Sequence, residues 1–307
     1  MRRIWRRAIC LGVWLVGCLA LALASVQAHA TSAAQAGQRD DRGQPVALAQ
    51  PAQRIVSLLP SLTETVCALG ACERLVGVDR YSTWPEHLQQ TLPVVGGGLD
   101  PNIEAIVALQ PDVVLLSHST QVLQRLQALG LRTVALEPRN LADVERVMHS
   151  VGQVLGLPEA QVHAHWQALQ SRIEATAQEV PHYVRGTRFY FEVNQGPYAA
   201  GPTSFIGELM QRLGAVNVVT AQLGAFPKLN PEFVLRAQPE VILLGNHSLQ
   251  TALAYPGWAQ LPAVRQQRVC AFARAEASII VRPGPRMDEA ARLLARCLTE
   301  KAPQHGG

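Results

Sequence analysis

What the chain lacks narrows its function before any motif is read. After Ala30 no apolar run approaches the roughly 20 residues that a membrane-spanning helix needs. Nor does any basic stripe remain there. Arg2, Arg3, Arg6 and Arg7 are four of the chain's 27 basic residues and come with no acid, so the rest balances its 23 acidic residues. A net charge near zero argues against nucleic acid as a partner. No HExxH, GxSxG or P-loop pattern occurs. His163 and His165 stand two apart on a predicted helix, which sends their rings to different faces, while His118, His149 and His247 read as ordinary polar residues. Gly96-Gly97-Gly98 lacks the rest of a dinucleotide fingerprint and reads as a mobile or close-approach loop. With no visible nucleophile, acid/base pair or metal cluster, the chain is expected not to be an enzyme and to need no catalytic metal or cofactor.

The first feature present is a leader. The arginines of residues 1–8 precede an uncharged apolar run, Ile9 to Ala24, and Ala28-His29-Ala30 puts small residues where a signal peptidase reads, so residues 1–30 are expected to be a cleaved secretory signal. A rival lipoprotein site at Leu15-Val16-Gly17-Cys18 is disfavoured because the apolar run continues past Cys18. Export to an oxidising compartment permits disulfides among Cys67, Cys72, Cys270 and Cys297, whose spacing is not that of a zinc site. Cys270 falls in a predicted strand and Cys297 in the last helix, where the two could meet; buried free thiols are the other reading.

The chain is organised around a stretch that it contains twice, Asp100 to Leu116 and Leu229 to Leu244. In each a Glu (Glu104, Glu232) sits in the first turn of a short helix, and a Pro (Pro111, Pro239) seven residues later ends it, because the residue before proline is pushed out of the right-handed helical region. An acidic residue (Asp112, Glu240) then leads into an apolar run, Val113 to Leu116 or Val241 to Leu244, of the kind found in buried parallel strands. A weaker pair, Pro60 to Gly70 and Pro202 to Gly214, reads in both copies as a strand exit, a capped helix and a Gly C-cap; Ser61 or Thr63 is the expected cap of the first. Two similar α/β lobes follow.

In chain order, residues 31–53 read as an edge ribbon with a turn at Asp41-Arg42-Gly43, and residues 54–156 as an N-terminal lobe. That lobe has strands at Arg54 to Leu59, Leu75 to Val78, Val113 to Leu116 and Thr133 to Leu136, and helices at Gln121 to Leu129 and Leu141 to Leu155. Within 157–180 a helix from Glu159 to Glu179 carries Val162, Trp166, Leu169, Ile173 and Ala177 at alternating spacings of four and three. It is expected to connect the lobes rigidly. Residues 181–307 form the C-terminal lobe, with strands at Phe189 to Val193 and Val269 to Phe272 and a final helix from Arg286 to Thr299. The expected fold class is α/β: two similar lobes of mainly parallel sheet flanked by helices, joined by one long connector helix.

Loops at strand exits, where α/β folds bind ligands, carry Tyr81, Trp84, Tyr198, Phe226 and Arg282, drawn from both lobes. Together they suit a flat, largely apolar ligand with a polar edge. Asp41-x-Gly43, Arg54-Ile-Val-Ser-Leu, Pro60-Ser-x-Thr-Glu64, Leu75-Val-Gly-Val-Asp79, Asn102-Ile-Glu104 with Pro111-Asp112, and Arg282-Pro-Gly-Pro-Arg286 resemble the periplasmic substrate-binding proteins of ABC importers for vitamin B12, haem and ferric siderophores. The resemblance covers essentially the whole chain after the leader and is nearest to the cobalamin-binding members. It implies a periplasmic receptor that captures a corrinoid between its lobes, with Tyr81, Tyr198, Phe226 and Arg282 facing the ligand. It also implies that Glu104 and Glu232 dock to arginines of the ABC permease. Two ligand-facing positions depart, an aromatic replaced by Gly98 and an acid by Ser278. Haem or a ferric siderophore is the alternative ligand, with Tyr81, Tyr198 or His118 as iron ligand. A secreted metal-cofactor enzyme is the alternative of another class. The partners expected are the permease and a metal chelate, for a receptor that reads as a monomer.

Overall fold

The chain builds the same short parallel sheet twice, and the order of strands explains where a ligand can sit. The computed structural model describes residues 38–119, 122–245 and 248–304. The expected leader, the start of the ribbon, Gln121 and His247 lie outside the described residues. The first half runs β1 (Ile55–Ser57), α1 (Pro60–Ala68), β2 (Leu75–Val78), α2 (Leu88–Thr91), α3 (Ile103–Ala108), β3 (Val113–Leu116), α4 (Leu123–Ala128), β4 (Thr133–Ala135) and α5 (Leu141–Leu155). Next comes α6 (Glu159–Glu179). The second half runs β5 (Arg188–Asn194), β6 (Tyr198–Ala199), α7 (Phe205–Arg212), β7 (Val216–Asn217), α8 (Pro231–Ala237), β8 (Val241–Leu244), α9 (Leu249–Leu253), α10 (Pro262–Arg265), β9 (Val269–Ala271), α11 (Arg274–Ile280) and α12 (Met287–Lys301).

The first sheet has the all-parallel order β2-β1-β3-β4. In the second, β5 pairs in parallel with β7 at its start and with β8 on its other side, β8 pairs with β9, and the short β6 adds antiparallel to the end of β5. Side chains alternate across both sheets. Ile55, Val113, Leu115, Phe189, Phe191, Val241 and Leu243 enter a central core with α5, α6 and α12. Val56, Val114 and Leu116 face a second cluster, and Tyr190, Ile242 and Leu244 a third. Strands buried on both faces are what uninterrupted apolar runs require. The connector α6 buries Val162, Trp166, Leu169, Ile173 and Thr176, and Ala177 packs half-buried against the same core.

The repeat reaches further than its sequence pattern. The residues before the two prolines, Gln110 and Gln238, both adopt left-handed backbone, with φ of 46° and 45°. Asp112 accepts hydrogen bonds at 2.8 Å from the backbone N–H groups of Gln53 and Arg54, and Glu240 accepts one at 2.8 Å from that of Arg188. In return the guanidinium of Arg54 donates to the carbonyls of Leu109 and Gln110, and that of Arg188 to those of Ala237 and Gln238. Each arginine thus satisfies carbonyls that the end of a helix leaves without partners.

One expectation is corrected, and the open choice for the cysteines falls to the bridged reading. Neither Ser61 nor Thr63 caps α1: Pro60 opens the helix, a position where its missing N–H costs nothing, and the N-cap is Leu59, with no side-chain bond. Thr63 is instead buried, bonded to Ser57 and Ser82 at 2.8 Å each. The cysteines form two bridges, Cys270–Cys297 across the second lobe and Cys67–Cys72 at the end of α1. The first ties β9 to α12 over a sequence separation of 27, so Cys270→Ser with Cys297→Ser is expected to lose about 3 kcal/mol in denaturant unfolding.

Candidate functional site

In both sheets the second strand lies to one side of the first and the third strand to the other. The topological switch therefore falls between β1 and β3 and between β5 and β8, and ligands of open α/β sheets bind at the carboxyl ends of strands at such points.

At the first mouth, the β2 exit turns at Asp79. Its buried carboxylate accepts from the Tyr81 N–H at 2.6 Å and the Ser82 hydroxyl at 2.8 Å. Ser82 in turn meets Thr63, and Thr63 meets Ser57. Burial pushes the Asp79 carboxyl above its ordinary range, against the bonds from Ser82 and Tyr81. This chain of hydroxyls holds the loop while Tyr81 stays 55% exposed. Gly98 approaches the carbonyl of Leu58 at the β1 exit so closely that a Cβ would sit 2.7 Å from that oxygen. At the β3 exit the exposed His118 meets the Glu137 carboxylate through Nδ1 at 3.0 Å, and the Ser117 hydroxyl bonds the same oxygen.

At the second mouth, Glu192 is fully buried and accepts from the hydroxyls of Tyr190 at 3.2 Å and Tyr255 at 3.1 Å. The Gly196 N–H donates to the Tyr255 hydroxyl at 3.0 Å, anchoring the turn that presents Tyr198. Tyr198 is 41% exposed, with the Lys228 ammonium 5.7 Å from its ring centre. The loop carrying Phe226 runs alongside, since Ala199 N–H donates to Pro227 O and Gly201 N–H to Ala225 O. Phe226, 37% exposed, packs 5.8 Å from Phe205.

Contacts between the halves bring these mouths together. Phe205 N–H donates to the Arg139 carbonyl at 2.8 Å, and Leu141 N–H to the Glu208 carboxylate at 2.7 Å. At another point of the interface Arg282, from the turn after α11, donates to the Glu64 carboxylate on α1 at 2.8 Å, and to the Tyr81 carbonyl and Thr83 hydroxyl at 2.7 and 3.3 Å. Arg286 stacks 4.9 Å from the Trp84 ring centre and lies 3.9 Å from Glu64. Tyr81, Tyr198 and Phe226 are exposed rings on the loops of the two mouths. Trp84 and Arg282 are half-buried parts of the clasp that joins the halves. Glu64 and Asp79, quoted above only as parts of motifs, set the geometry of the first mouth.

Glu104 and Glu232 occupy the same place in the two halves. Each is the second residue of a short helix whose cap is an asparagine: Asn102 accepts from the Ala105 N–H and Asn230 from the Glu232 N–H, both at 2.9 Å. Both side chains are exposed, and among the described residues they make only long ion pairs, to Arg125 at 3.6 Å and Arg236 at 3.7 Å.

Two matching parallel-sheet lobes joined by one long helix, with exposed rings on loops at the switch point of each, define a two-lobed solute-binding protein. The chain belongs to the periplasmic binding protein family, whose model matches residues 55–274. The uncharacterized ABC transporter substrate-binding lipoprotein YvrC of Bacillus subtilis is 24% identical over 270 residues, 84% of each chain. The vitamin B12-binding protein of Vibrio cholerae serotype O1 is 27% identical over 244 residues, 77% of this chain and 85% of its own. Among solved structures, the periplasmic heme-binding protein RhuT from Roseiflexus sp. RS-1 superposes with a TM-score of 0.69 at 26% identity, covering 82% of this chain and 99% of that one.

Proposed function

We propose that the protein is the periplasmic solute receptor of an ABC importer, and that it captures a corrinoid of the vitamin B12 type between its lobes for delivery to the permease. The observation that carries this reading is the exposure of Tyr81, Tyr198 and Phe226 on loops that are clamped from beneath. Rings left in water cost free energy unless something covers them, and rigid loops keep them ready for a flat macrocycle without an ordering penalty. The vitamin B12-binding relative supports the same choice.

A second reading, haem, is favoured by His118. Its Nδ1 is held by Glu137, and among the described residues its Nε2 has no partner, the arrangement that orients a histidine toward a metal. Titrating the purified protein with cyanocobalamin, haemin and a ferric siderophore tests both. Tight binding of cyanocobalamin, unaltered in His118→Ala, is the expected result. Tight haemin binding lost in that variant selects the second reading, and no binding of any of the three overturns the receptor assignment. With the preferred ligand, Tyr81→Ala and Phe226→Ala should each weaken binding by about 1–3 kcal/mol while leaving the melting temperature in place.

A further inference from the structure

Glu145 and His149 stand one helical turn apart on α5, and His163 meets them from the first turns of α6. The three side chains bring ligand atoms within 4.8 Å of one another, and the two imidazole centres are 6.2 Å apart. The sequence alone separates these residues, because His163 belongs by spacing with His165 rather than with His149. The close approach of the two helices is built in beside the cluster. Gly152, the next turn along from His149, packs against Val162, the neighbour of His163, and a Cβ on Gly152 would lie 2.4 Å from a Val162 methyl. The reversal at Gly156, in left-handed backbone at φ 71°, and Pro158 then lays the start of α6 against the end of α5. Glu145 and His149 are half-buried, yet among the described residues neither has a hydrogen-bond partner. Their carboxylate and imidazole atoms are therefore not committed to protein partners and can turn toward a shared cation.

We propose that Glu145, His149 and His163 form a binding site for one divalent transition-metal ion of the zinc type, with water completing its coordination. Two imidazole nitrogens and one carboxylate oxygen are the protein donors of an open zinc site. Calcium and magnesium, which take oxygen ligands, suit the cluster poorly. A tetrahedral ion with bonds of about 2.0–2.1 Å spaces its donors roughly 3.4 Å apart. Rotation of the Glu145 and His163 side chains is the route by which the proposal closes the 4.8 Å separation. The Gln167 amide nitrogen lies 3.3 Å from His163 Nε2. Turned to present its oxygen, that amide would hold Nε2–H and leave Nδ1 for the ion. Bound there, the ion joins the last helix of the first lobe to the connector, and none of its ligands belongs to the aromatic mouths.

The probe is the metal alone, added to the purified full chain. One equivalent of Zn²⁺ should bind and raise the melting temperature, because the ion binds only the folded arrangement. Co²⁺ in its place should give the visible absorption of a low-coordinate site. His149→Ala and His163→Ala should each weaken Zn²⁺ binding at least tenfold and erase the melting shift. His165→Ala should change neither. Because His163 is exposed, its variant should keep the wild-type circular dichroism and metal-free melting temperature, so a loss of binding there is a loss of a ligand. Absence of Zn²⁺ binding, or binding undiminished in both His149→Ala and His163→Ala, overturns the proposal, and either outcome leaves the ligand titrations untouched.

Discussion

Glu104→Ala combined with Glu232→Ala is expected to cut transport by about a hundredfold while leaving ligand affinity in solution unchanged. Neither carboxylate has a local role large enough to account for its place in the repeat. The N-terminal N–H groups of α3 and α8 already have Asn102 and Asn230 as acceptors. The ion pairs to Arg125 and Arg236 are long and lie between exposed side chains, where such pairs contribute little. Two carboxylates at equivalent points of duplicated lobes are instead suited to a partner that touches both lobes at once. If each meets a permease arginine in a charge-assisted contact of about 1.5–3 kcal/mol, removing one weakens docking at least tenfold and removing both compounds the loss. The measurement is uptake by vesicles reconstituted with the permease, together with receptor–permease association at rising salt, which should weaken the wild-type complex more steeply than the double variant. A double variant that docks normally but binds ligand poorly would return both glutamates to the pocket or the fold.

How much was legible in the sequence depends on the distance over which a residue acts. The duplicated helix, proline and strand declare themselves through local spacing, and the strands at Leu75–Val78, Val113–Leu116 and Val241–Leu244 lie where their apolar runs place them. The exchange of Arg54 with Asp112, and of Arg188 with Glu240, is hidden because each arginine lies more than 50 residues from its acidic partner. The cap of α1 is not legible locally, because Ser61 and Thr63 are good caps in isolation, whereas the buried hydroxyl chain to Ser82 and Asp79 claims Thr63. Aromatic residues at strand exits were visible as a set, yet nothing local separates the open Tyr81 from Trp84, which lies under Arg286. Arg282 is expected to face the ligand from its place in a strand-exit loop and from the family resemblance, while its bond to Glu64 is invisible locally. Its partner Glu64 is 218 residues away, and no spacing rule reaches that far.

That pair carries the largest expected effect on stability. Glu64 is 1% exposed, and Arg282 is its closest cation, with Arg286 next at 3.9 Å and itself engaged by Glu289 at 2.7 Å. Taking away one member of a buried pair leaves the other charge without compensation, so Arg282→Met should cost about 3–5 kcal/mol and lower the melting temperature by on the order of 10 °C. The same variant frees the Tyr81 carbonyl and should loosen the first mouth. Glu64→Leu with Arg282→Met, which removes both charges, should recover most of the loss. The deficit should also depend on pH. Burial raises the Glu64 carboxyl above its ordinary value of 4.5, against the hydrogen bond and charge of Arg282. The folded chain therefore holds this proton more tightly than the unfolded chain, and the resulting stability is complete below the unfolded value and fades as pH rises through the folded one. Without Arg282 the folded value climbs further. The gap between Arg282→Met and wild type should thus be smallest near about pH 4, where Glu64 is protonated in both, and widen toward neutrality. Denaturant unfolding of the three proteins across that range is the measurement. A deficit that is flat with pH, or a double variant no more stable than Arg282→Met, would mean that Arg282 acts through packing alone and not as the counter-charge of Glu64.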